Sequence, residues 1–339
     1  MITKRIAGYV LAAAISVSSL VQADTAPARR PAPACDRTCL DGFVDSYLEA
    51  MKAHDASLEL FARDTRFTEN GIRLPFGNEG LWHSMTGKGS YQFYVPDIEA
   101  QQVAFIGTVR EGGKTATDGT LVALALRLKI VNNRITEVEQ LAIRPDNTAQ
   151  LFGGAAPATP PRFPPTGEAV EAMGKPHPVF AEVIPEAKRP SREELIKTAN
   201  YYFAGLQRND GKGYYPFTDD CERFENGIQT TNIPQTDRTT GQTVKRGCKK
   251  QFEESLKGVV SRVRDRRFVA VDRERGIVFA FAFFDHENIN WTWQLAELFK
   301  IENGQIRRIE AVFHRAPYGI NSGWSTYEQG ISEEPQTIR

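Results

Sequence analysis

The tetrapeptide Glu-Asn-Gly-Ile occurs twice in this chain of 339 residues, at positions 69–72 and 225–228. A second pattern, Lys-x5-Ile-x2-(Val or Ile)-Glu, also occurs twice, at 129–139 and 300–310. From the first pattern to the second there are 60 residues (69 to 129) in one copy and 75 (225 to 300) in the other. The later copy therefore carries about fifteen extra residues, which is ordinary loop variation and is expected within 229–250. We predict a tandem repeat, in which differences between the copies are the best guide to function.

The charge balance argues against a nucleic-acid or membrane partner. Lys and Arg total 42, and Asp and Glu also total 42. With no net charge, the chain has no overall field to attract nucleic acid or an anionic membrane, and it shows no basic run with interleaved aromatics. The expected partner is instead a small-molecule substrate.

The first residues have the order of a secretory signal. Lys4-Arg5 precede an apolar stretch over 6–21, and the small residues of Val21-Gln22-Ala23 follow. This order predicts cleavage after Ala23 and a secreted or periplasmic mature protein. The apolar stretch is short for a membrane span, and no later segment has about 18 uninterrupted apolar residues.

All four cysteines lie after that signal, at Cys35, Cys39, Cys221 and Cys248. An even number in an oxidising compartment favours disulfides, and three pairings are possible. We favour Cys35 with Cys39, one helical turn apart, and Cys221 with Cys248, which flank the extra loop. A zinc site is the alternative, but the spacing lacks the paired short intervals of such sites.

The predicted organisation has five parts. They are a signal peptide (1–23), a first domain (35–145, copy one), a Pro-rich linker (146–190), a second domain (191–325, copy two) and a tail (326–339). Ten of the chain's 19 prolines fall within 145–190, so we expect neither regular helix nor strand there, but a linker that packs across the domains. The segment after Pro317 contains Tyr318, Trp324 and Tyr327 and is a candidate cover for a pocket mouth.

Each copy begins with a helical pattern and continues with strands. Apolar residues at helical spacing predict a helix over 40–51, and a capping box at Ser191 to Glu194 begins its counterpart. A second helix is expected over 251–260 in copy two. The predicted strands are 103–109, 121–131 and 135–143 in copy one, and 268–272, 277–284, 291–301 and 306–314 in copy two. Helices followed by long antiparallel strands indicate the α+β class.

The first helix ending at Asp, the short strand with Glu-Asn-Gly and the closing Lys-x5-Ile hairpin resemble the SnoaL-like, nuclear-transport-factor-2-like superfamily. Residues 264–268, 274–276 and 283–286 resemble a poorly characterised secreted family with two such domains in tandem. The resemblance implies two cone-shaped domains, each a curved antiparallel sheet wrapped around N-terminal helices. Superfamily members include dehydratases, isomerases, aldol cyclases, epoxide hydrolases, lyases acting on lignin-derived aromatics and proteins without catalysis, so function must be argued from the site.

Two histidines of copy two are candidate proton carriers. His314 follows Glu310 on one face of the last strand, and copy one has Ile143 at its position. An imidazole lining a cavity can move a proton near neutral pH, although a half-exposed structural His is the alternative. His286 shares a strand face with the small Ala280 and Ala282, which would leave room for a ligand. Asp285-His286 is otherwise a hairpin-end pair.

The other candidates are charged, amide and aromatic residues of copy two. Each also has a structural interpretation: a solvated junction for the arginine cluster, a turn for the repeated Asn, and packing for the aromatics. The acidic candidates are Glu225 and Asp265, and the substrate-binding candidates are Arg264, Asn226, Tyr202, Trp291 and Trp293.

The leading hypothesis is a secreted, cofactor-independent acid-base enzyme, most simply a lyase acting on a small oxygenated substrate such as a lignin-derived aromatic or a sugar derivative. In it, His314 is the acid or base, His286 with Glu225 is the complementary proton carrier, and Arg264 positions the substrate. No cofactor and no metal is expected. The alternative is a non-catalytic small-molecule-binding or assembly module. In either case the two domains are expected to pair within one chain, as a monomer or a homodimer.

Overall fold

The protein is described by a computed structural model, which covers residues 34–145, 163–208, 210–237, 240–254 and 260–338. It is a mixed α+β structure with two main sheets and few helices. This confirms the predicted fold class. The predicted signal peptide lies outside the described residues.

The first sheet contains six strands in the order β2-β1-β6-β5-β4-β3. Helix α1 begins after Asp36, whose side chain accepts a hydrogen bond from the N–H of Cys39, and it ends at His54 in the left-handed conformation. The elements are α1 (Arg37–Ala53), β1 (Phe61–Glu69), β2 (Ile72–Arg73), α2 (Leu81–Ser84), β3 (Met85–Asp97), β4 (Gln102–Glu111), β5 (Thr120–Val131) and β6 (Arg134–Ile143).

The segment between the sheets is more regular than its prolines predict. The described part contains helix α3 (Thr166–Ala172) and two short 3-10 helices, so the expectation of no regular helix is wrong there. The helix fits because no proline lies between Pro165, its N-cap, and Pro176. Val170, Val179 and Phe180 of this segment are buried, so the segment does pack against the domains. Residues 146–162 of the predicted linker lie outside the described part.

The second sheet has seven strands in the order β15-β11-β12-β13-β14-β7-β8, and β9 and β10 form a separate hairpin in the extra loop. Tail strand β15 extends the sheet in parallel with β11. The elements are α4 (Arg192–Arg208), β7 (Phe217–Glu225), β8 (Ile228–Gln229), β9 (Pro234–Thr236), β10 (Thr243–Lys245), α5 (Cys248–Glu253), β11 (Arg262–Asp272), β12 (Ile277–His286), β13 (Trp291–Glu302), β14 (Gln305–Pro317), α6 (Tyr327–Ile331) and β15 (Pro335–Thr337).

The repeated Glu-Asn-Gly-Ile segment forms the same turn in both copies. Asn70 and Asn226 adopt left-handed conformations with φ of 52° and 51°. The side-chain amide of Asn226 donates to the carbonyl of Phe313 (3.1 Å) and accepts from its N–H (2.8 Å). Asn70 makes the same two bonds to Ala142. Asn is suited to this role because it tolerates the left-handed region and its amide both donates and accepts.

Each sheet has an inner face, which packs on its own helix, and an outer face, which packs on the other sheet. Alternate residues of a strand point to opposite faces, and here both faces are buried. The inner face of β12 carries Val278, Ala280, Ala282 and Phe284, which join the core around α4. Its outer face carries Ile277, Phe279 and Phe281, which share a cluster with Phe93 and Ile106 of the first sheet and Phe180 of the connecting segment.

Reciprocal ion pairs join the two copies. Arg37, the first residue of α1, donates to both carboxylate oxygens of Asp272 at 2.7 Å. Arg192, the first residue of α4, lies 2.6 Å from Asp97. Asp97 and Asp272 end the equivalent strands β3 and β11. The N-terminus of each long helix is therefore bound to the opposite copy.

The repeated glutamate of the closing hairpin is also an interface residue. Glu139 accepts two hydrogen bonds of 2.7 Å from Arg267 of the second sheet. Its counterpart Glu310 accepts a hydrogen bond of 2.7 Å from the hydroxyl of Tyr91 in the first sheet. These four side chains are buried. The repeat therefore preserves a pairing surface as well as a fold.

Both favoured disulfides are confirmed, Cys35 with Cys39 and Cys221 with Cys248. They are consistent with an extracellular or periplasmic location. In the described part of the chain, no helix is long and apolar enough to cross a membrane.

We expect Glu139→Gln to lower the free energy of unfolding by roughly 1.5–3 kcal/mol, because it removes the closer of the two carboxylates that neutralise the buried guanidinium of Arg267 and leaves Asp265, at 3.3 Å, as the other. The matched control is Lys52→Ala, which breaks an exposed pair with Glu49 and should cost less than about 1 kcal/mol. Urea denaturation measures both values. Equal losses in the two variants would contradict a central role for the interface pair.

Candidate active site in the second copy

A layer of residues across the inner face of the second sheet places two acids near each other. In the strand register, Glu297 of β13 lies opposite Ala280 on one side and Ala311 on the other, and Ala311 lies opposite Glu225 of β7. Because neighbouring strands are about 4.8 Å apart, the Cα atoms of the two glutamates are about 10 Å apart. Their side chains point to the same interior. We call Ala280, Glu297, Ala311 and Glu225 the acid layer.

Glu297 is an acid held mostly in its neutral form. Its side chain is 1% exposed, and its Oε2 has no hydrogen-bond partner among the described residues. Burial raises the pKa of Glu297 to about 8; the charge of Glu225 adds to this, while a hydrogen bond from Tyr202 and the charge of Arg223 oppose it. At neutral pH, Glu297 can therefore donate a proton.

Glu225, the second acid of the layer, is paired with an arginine. Its Oε1 lies 3.3 Å from Nε of Arg223, two residues earlier on the same strand. Although burial disfavours the charged guanidinium, the Glu225 carboxylate holds the pKa of Arg223 above its ordinary value. The Glu225 side chain is 32% exposed, so it connects the layer to solvent. Arginine and glutamate together keep the local charge balanced.

Neighbouring elements fix Arg223 in place. Its Nη2 donates to Oε1 of Gln251 at 2.7 Å, and its Nε donates to the hydroxyl of Thr230 at 3.1 Å. Gln251 belongs to α5, which the Cys221–Cys248 disulfide ties to β7. Gln251 also donates to the carbonyl of Thr230 at 2.7 Å. The extra loop of copy two thus supplies a support for the arginine.

Tyr202 of α4 completes the polar group. Its buried side chain lies close enough to Glu297 and Arg223 to shift their pKa values. Burial and the nearby Glu297 raise the pKa of Tyr202 well above its usual range, so the phenol stays protonated. It is therefore a hydrogen-bond donor within reach of the acid layer.

Aromatic rings lie above the acid layer on the same inner face. The ring of Trp293 is 4.2 Å from that of His286 and 4.9 Å from that of Phe313, measured between centroids. Farther along β13, the guanidinium of Arg315 lies 3.9 Å from the ring centre of Trp291. Trp293, Phe313 and Trp291 are only partly buried, so this end of the face is the more open one.

In copy one, the four positions equivalent to the acid layer carry different residues. These positions are occupied by Phe105, Leu126, Gln140 and Glu69, in the same register. Gln140 donates to Glu69 at 2.7 Å and accepts from the hydroxyl of Tyr47 at 2.7 Å, so its polar groups satisfy one another. Phe67 stands where copy two has Arg223. An arginine at the position of Arg223 and an acid at the position of Glu297 are therefore specific to copy two, although Glu69 of copy one is also buried.

The structure brings several of the predicted site residues together. Glu225, Tyr202, His286, Trp291 and Trp293 all belong to the inner face or to the helix that packs on it. The two that sequence reasoning missed are Arg223 and Glu297. Aligning the copies on their repeated patterns could have found them, because Phe67 and Leu126 are the apolar counterparts. Their roles in catalysis stay predictions.

His314 lies apart from this group. It pairs with Gln294 on the outer face, next to the first sheet, whereas His286 is on the inner face. The expectation that these two imidazoles line one cavity is therefore wrong, because the sheet separates them. The side-chain amide of Gln294 lies 3.1 Å from Nε2 of His314. In the orientation that satisfies both its oxygen and its nitrogen, the amide nitrogen donates to Nε2 of His314 and to the carbonyl of Asn70. Burial, with the charge of Arg144, lowers the pKa of His314 to about 4.

Arg264 and Asp265 hold the tail of the chain. Arg264 is 1% exposed and donates to Asp285 (2.8 Å) and to the carbonyls of Gly330 (3.0 Å) and Ile320 (2.9 Å). Asp265 accepts from Gln336 at 3.1 Å. Both lie away from the acid layer, and the amide of Asn226 is occupied by the backbone of β14. The segment that precedes the tail contacts copy one, where the indole N–H of Trp324 donates to the hydroxyl of Thr68 at 2.7 Å.

The low pKa of His314 predicts a specific sensitivity to acid. Since the pKa is about 4 in the folded state and about 6.5 in the unfolded chain, the unfolded state binds more protons between these values. The contribution of His314 to stability is present above pH 6.5 and lost as the pH falls toward 4. His314→Ile, which installs the residue of copy one, should make unfolding less acid-sensitive over this window. Denaturant titrations at several pH values measure this; parallel curves for the two proteins would refute it.

Comparisons with known proteins find only distant likenesses. Residues 188–313 match the model of a domain of unknown function, DUF8021. Among solved structures, a de novo designed protein with a curved β-sheet is similar at 18% identity and a TM-score of 0.25, covering 37% of this chain and 88% of its own. An LEH-like epoxide hydrolase from M. tuberculosis is similar at 14% identity and a TM-score of 0.27, covering 37% and 86%. No curated protein matches the chain.

Proposed function

We propose that this protein is an exported acid-base enzyme whose active site is the acid layer of the second copy. The observation that carries the proposal is a buried acid with a raised pKa, Glu297, in the same layer as Glu225, which is paired with Arg223. Two acids in such different environments can act as acid and base in one reaction. We further infer that the second sheet closes around this interior as the cone of a SnoaL-like domain.

The reaction that best suits this arrangement is an elimination. The Glu225 carboxylate takes a proton from a substrate carbon, a double bond forms, and the carbon–oxygen bond to the leaving group breaks. Glu297 gives its proton to the departing oxygen, so that water or an alcohol leaves. Arg223 and Tyr202 stabilise the negative charge that develops on a substrate oxygen. The proton on Glu225 returns to Glu297 before the next turnover.

The small residues beside Glu297 support a substrate in this interior. Ala280 and Ala311 stand where copy one has Phe105 and Gln140, so the same backbone carries much less side-chain volume. The aromatic rings above the layer suit a planar or ring-shaped substrate. A small oxygenated aromatic or a sugar derivative meets both requirements.

We expect Glu297→Gln to lower kcat by about 10²–10⁴-fold, because the amide keeps the shape of the acid but has no proton to donate. The matched control is Glu69→Gln, which replaces the counterpart of Glu225 in the filled layer of copy one and should change kcat less than about twofold if copy one takes no part in catalysis. Turnover is found by mass spectrometry, as loss of water or alcohol from a library of oxygenated aromatics and sugars. Circular dichroism confirms folding of both variants. Full activity of Glu297→Gln would contradict the proposal.

A binding-only role is the second candidate, favoured by the contacts among Trp293, His286 and Phe313, which form a surface for a ring without needing an acid. In that case the wild type and Glu297→Gln would bind the same library member with similar affinity and neither would release product. Incubation in D2O separates the roles, since only the enzyme catalyses deuterium exchange at a substrate carbon.

A further inference from the structure

A groove on the surface of copy two lies at the end of β13 opposite to Trp291 and Trp293. It has a volume of about 750 Å³ and runs between α4, the residues before it and the turn that joins β13 to β14. The groove touches Ile301 near the end of β13, whereas Glu297 of the acid layer lies four residues earlier on the strand and Trp291 ten residues earlier. These separations along the strand are about 13 Å and about 33 Å. None of the four acid-layer residues lines the groove, so the groove is separate from the proposed active site.

Unpaired positive charge lines one side of the groove. Lys188, Arg189 and Lys197 all border it. None of the three forms an ion pair with a carboxylate of the described residues. Glu194 also lines the groove, and its carboxylate accepts a hydrogen bond from the backbone N–H of Ser191 at 2.8 Å. With three cationic side chains and one carboxylate, the lining carries an excess of positive charge.

Two tyrosines form the other side. The ring of Tyr214 is 65% exposed and meets the ring of Tyr201 edge to face, with centroids 4.9 Å apart. The two rings therefore present an aromatic surface to the groove. Leu195 and Ile301 lie buried beneath the groove, between its charged and aromatic sides.

We propose that this groove binds an anionic saccharide, such as a chain of uronate or sulfated sugars. The apolar faces of sugar rings pack against tyrosine rings, and the tyrosine hydroxyls remain free to hydrogen bond. The carboxylates or sulfates pair with Lys188, Arg189 and Lys197. An open groove with room for more than one ring suits a segment of a longer chain. The groove anchors the protein to an acidic polymer, independently of chemistry in the acid layer.

The test uses the full mature protein and three tetrasaccharides: one of uronates, one sulfated and one neutral. Isothermal titration calorimetry should show at least about tenfold tighter binding of an acidic tetrasaccharide than of the neutral one, with affinity falling as salt increases. Tyr214→Ala and the double variant Lys188→Ala/Lys197→Ala should each weaken binding by at least about tenfold. Absence of binding by both acidic tetrasaccharides would overturn the proposal.

Two control variants distinguish binding in the groove from nonspecific attraction to surface charge. Lys249→Ala removes an exposed lysine elsewhere, and Tyr327→Ala removes a tyrosine that is 68% exposed. Each should change the affinity less than about twofold. If these controls weaken binding as much as the groove variants, the attraction is unspecific and the proposal fails. Because Glu297→Gln leaves the groove intact, it should bind the acidic tetrasaccharide like the wild type.

Discussion

The burial of one sheet against the other is the constraint on which the rest of the structure depends. Phe279 and Phe281 of the second sheet and Phe93 and Ile106 of the first need a partner surface, because exposed apolar faces of this size favour association. Each copy supplies that surface to the other within one chain. Arg37 with Asp272 and Arg192 with Asp97 then fix the pairing reciprocally. With the outer faces occupied, the inner face is the face of each sheet that remains open to a ligand.

The inner faces of the two copies carry different residues on the same backbone. Copy one fills its layer with Phe105, Leu126 and Gln140, and the polar groups there satisfy each other. Copy two substitutes alanines and brings in Arg223 and Glu297, whose charges are unfavourable in a core unless they are paired or neutralised. The ion pair with Glu225 stabilises the buried charge of Arg223, and the raised pKa of Glu297 keeps most of that acid neutral.

Much of the fold could be predicted from sequence patterns that indicate one type of structure. The two long helices and the strands of the closing hairpins were predictable from their periodicity, and the disulfides from the number and positions of the cysteines, whereas β3, β15 and helix α3 were not predicted. What the sequence does not fix is which face of a strand is interior, because β12 is apolar on both faces. His314 was therefore assigned to a cavity although it lies between the sheets. The roles of Arg264 and Asp265 in holding the tail depend on contacts with Gly330, Ile320 and Gln336 that local pattern cannot reveal.

The most direct test of this account is the titration of Glu297 itself. NMR of protein labelled with 13C at the glutamate side-chain carboxyl, with Glu297→Gln to assign the signal, follows the protonation of this group in the folded protein. The account predicts one carboxyl that stays protonated at neutral pH and ionises near pH 8, absent from the variant. If every glutamate signal removed by the substitution titrates near the ordinary value of about 4.3, Glu297 is ionised at neutral pH and cannot be the acid.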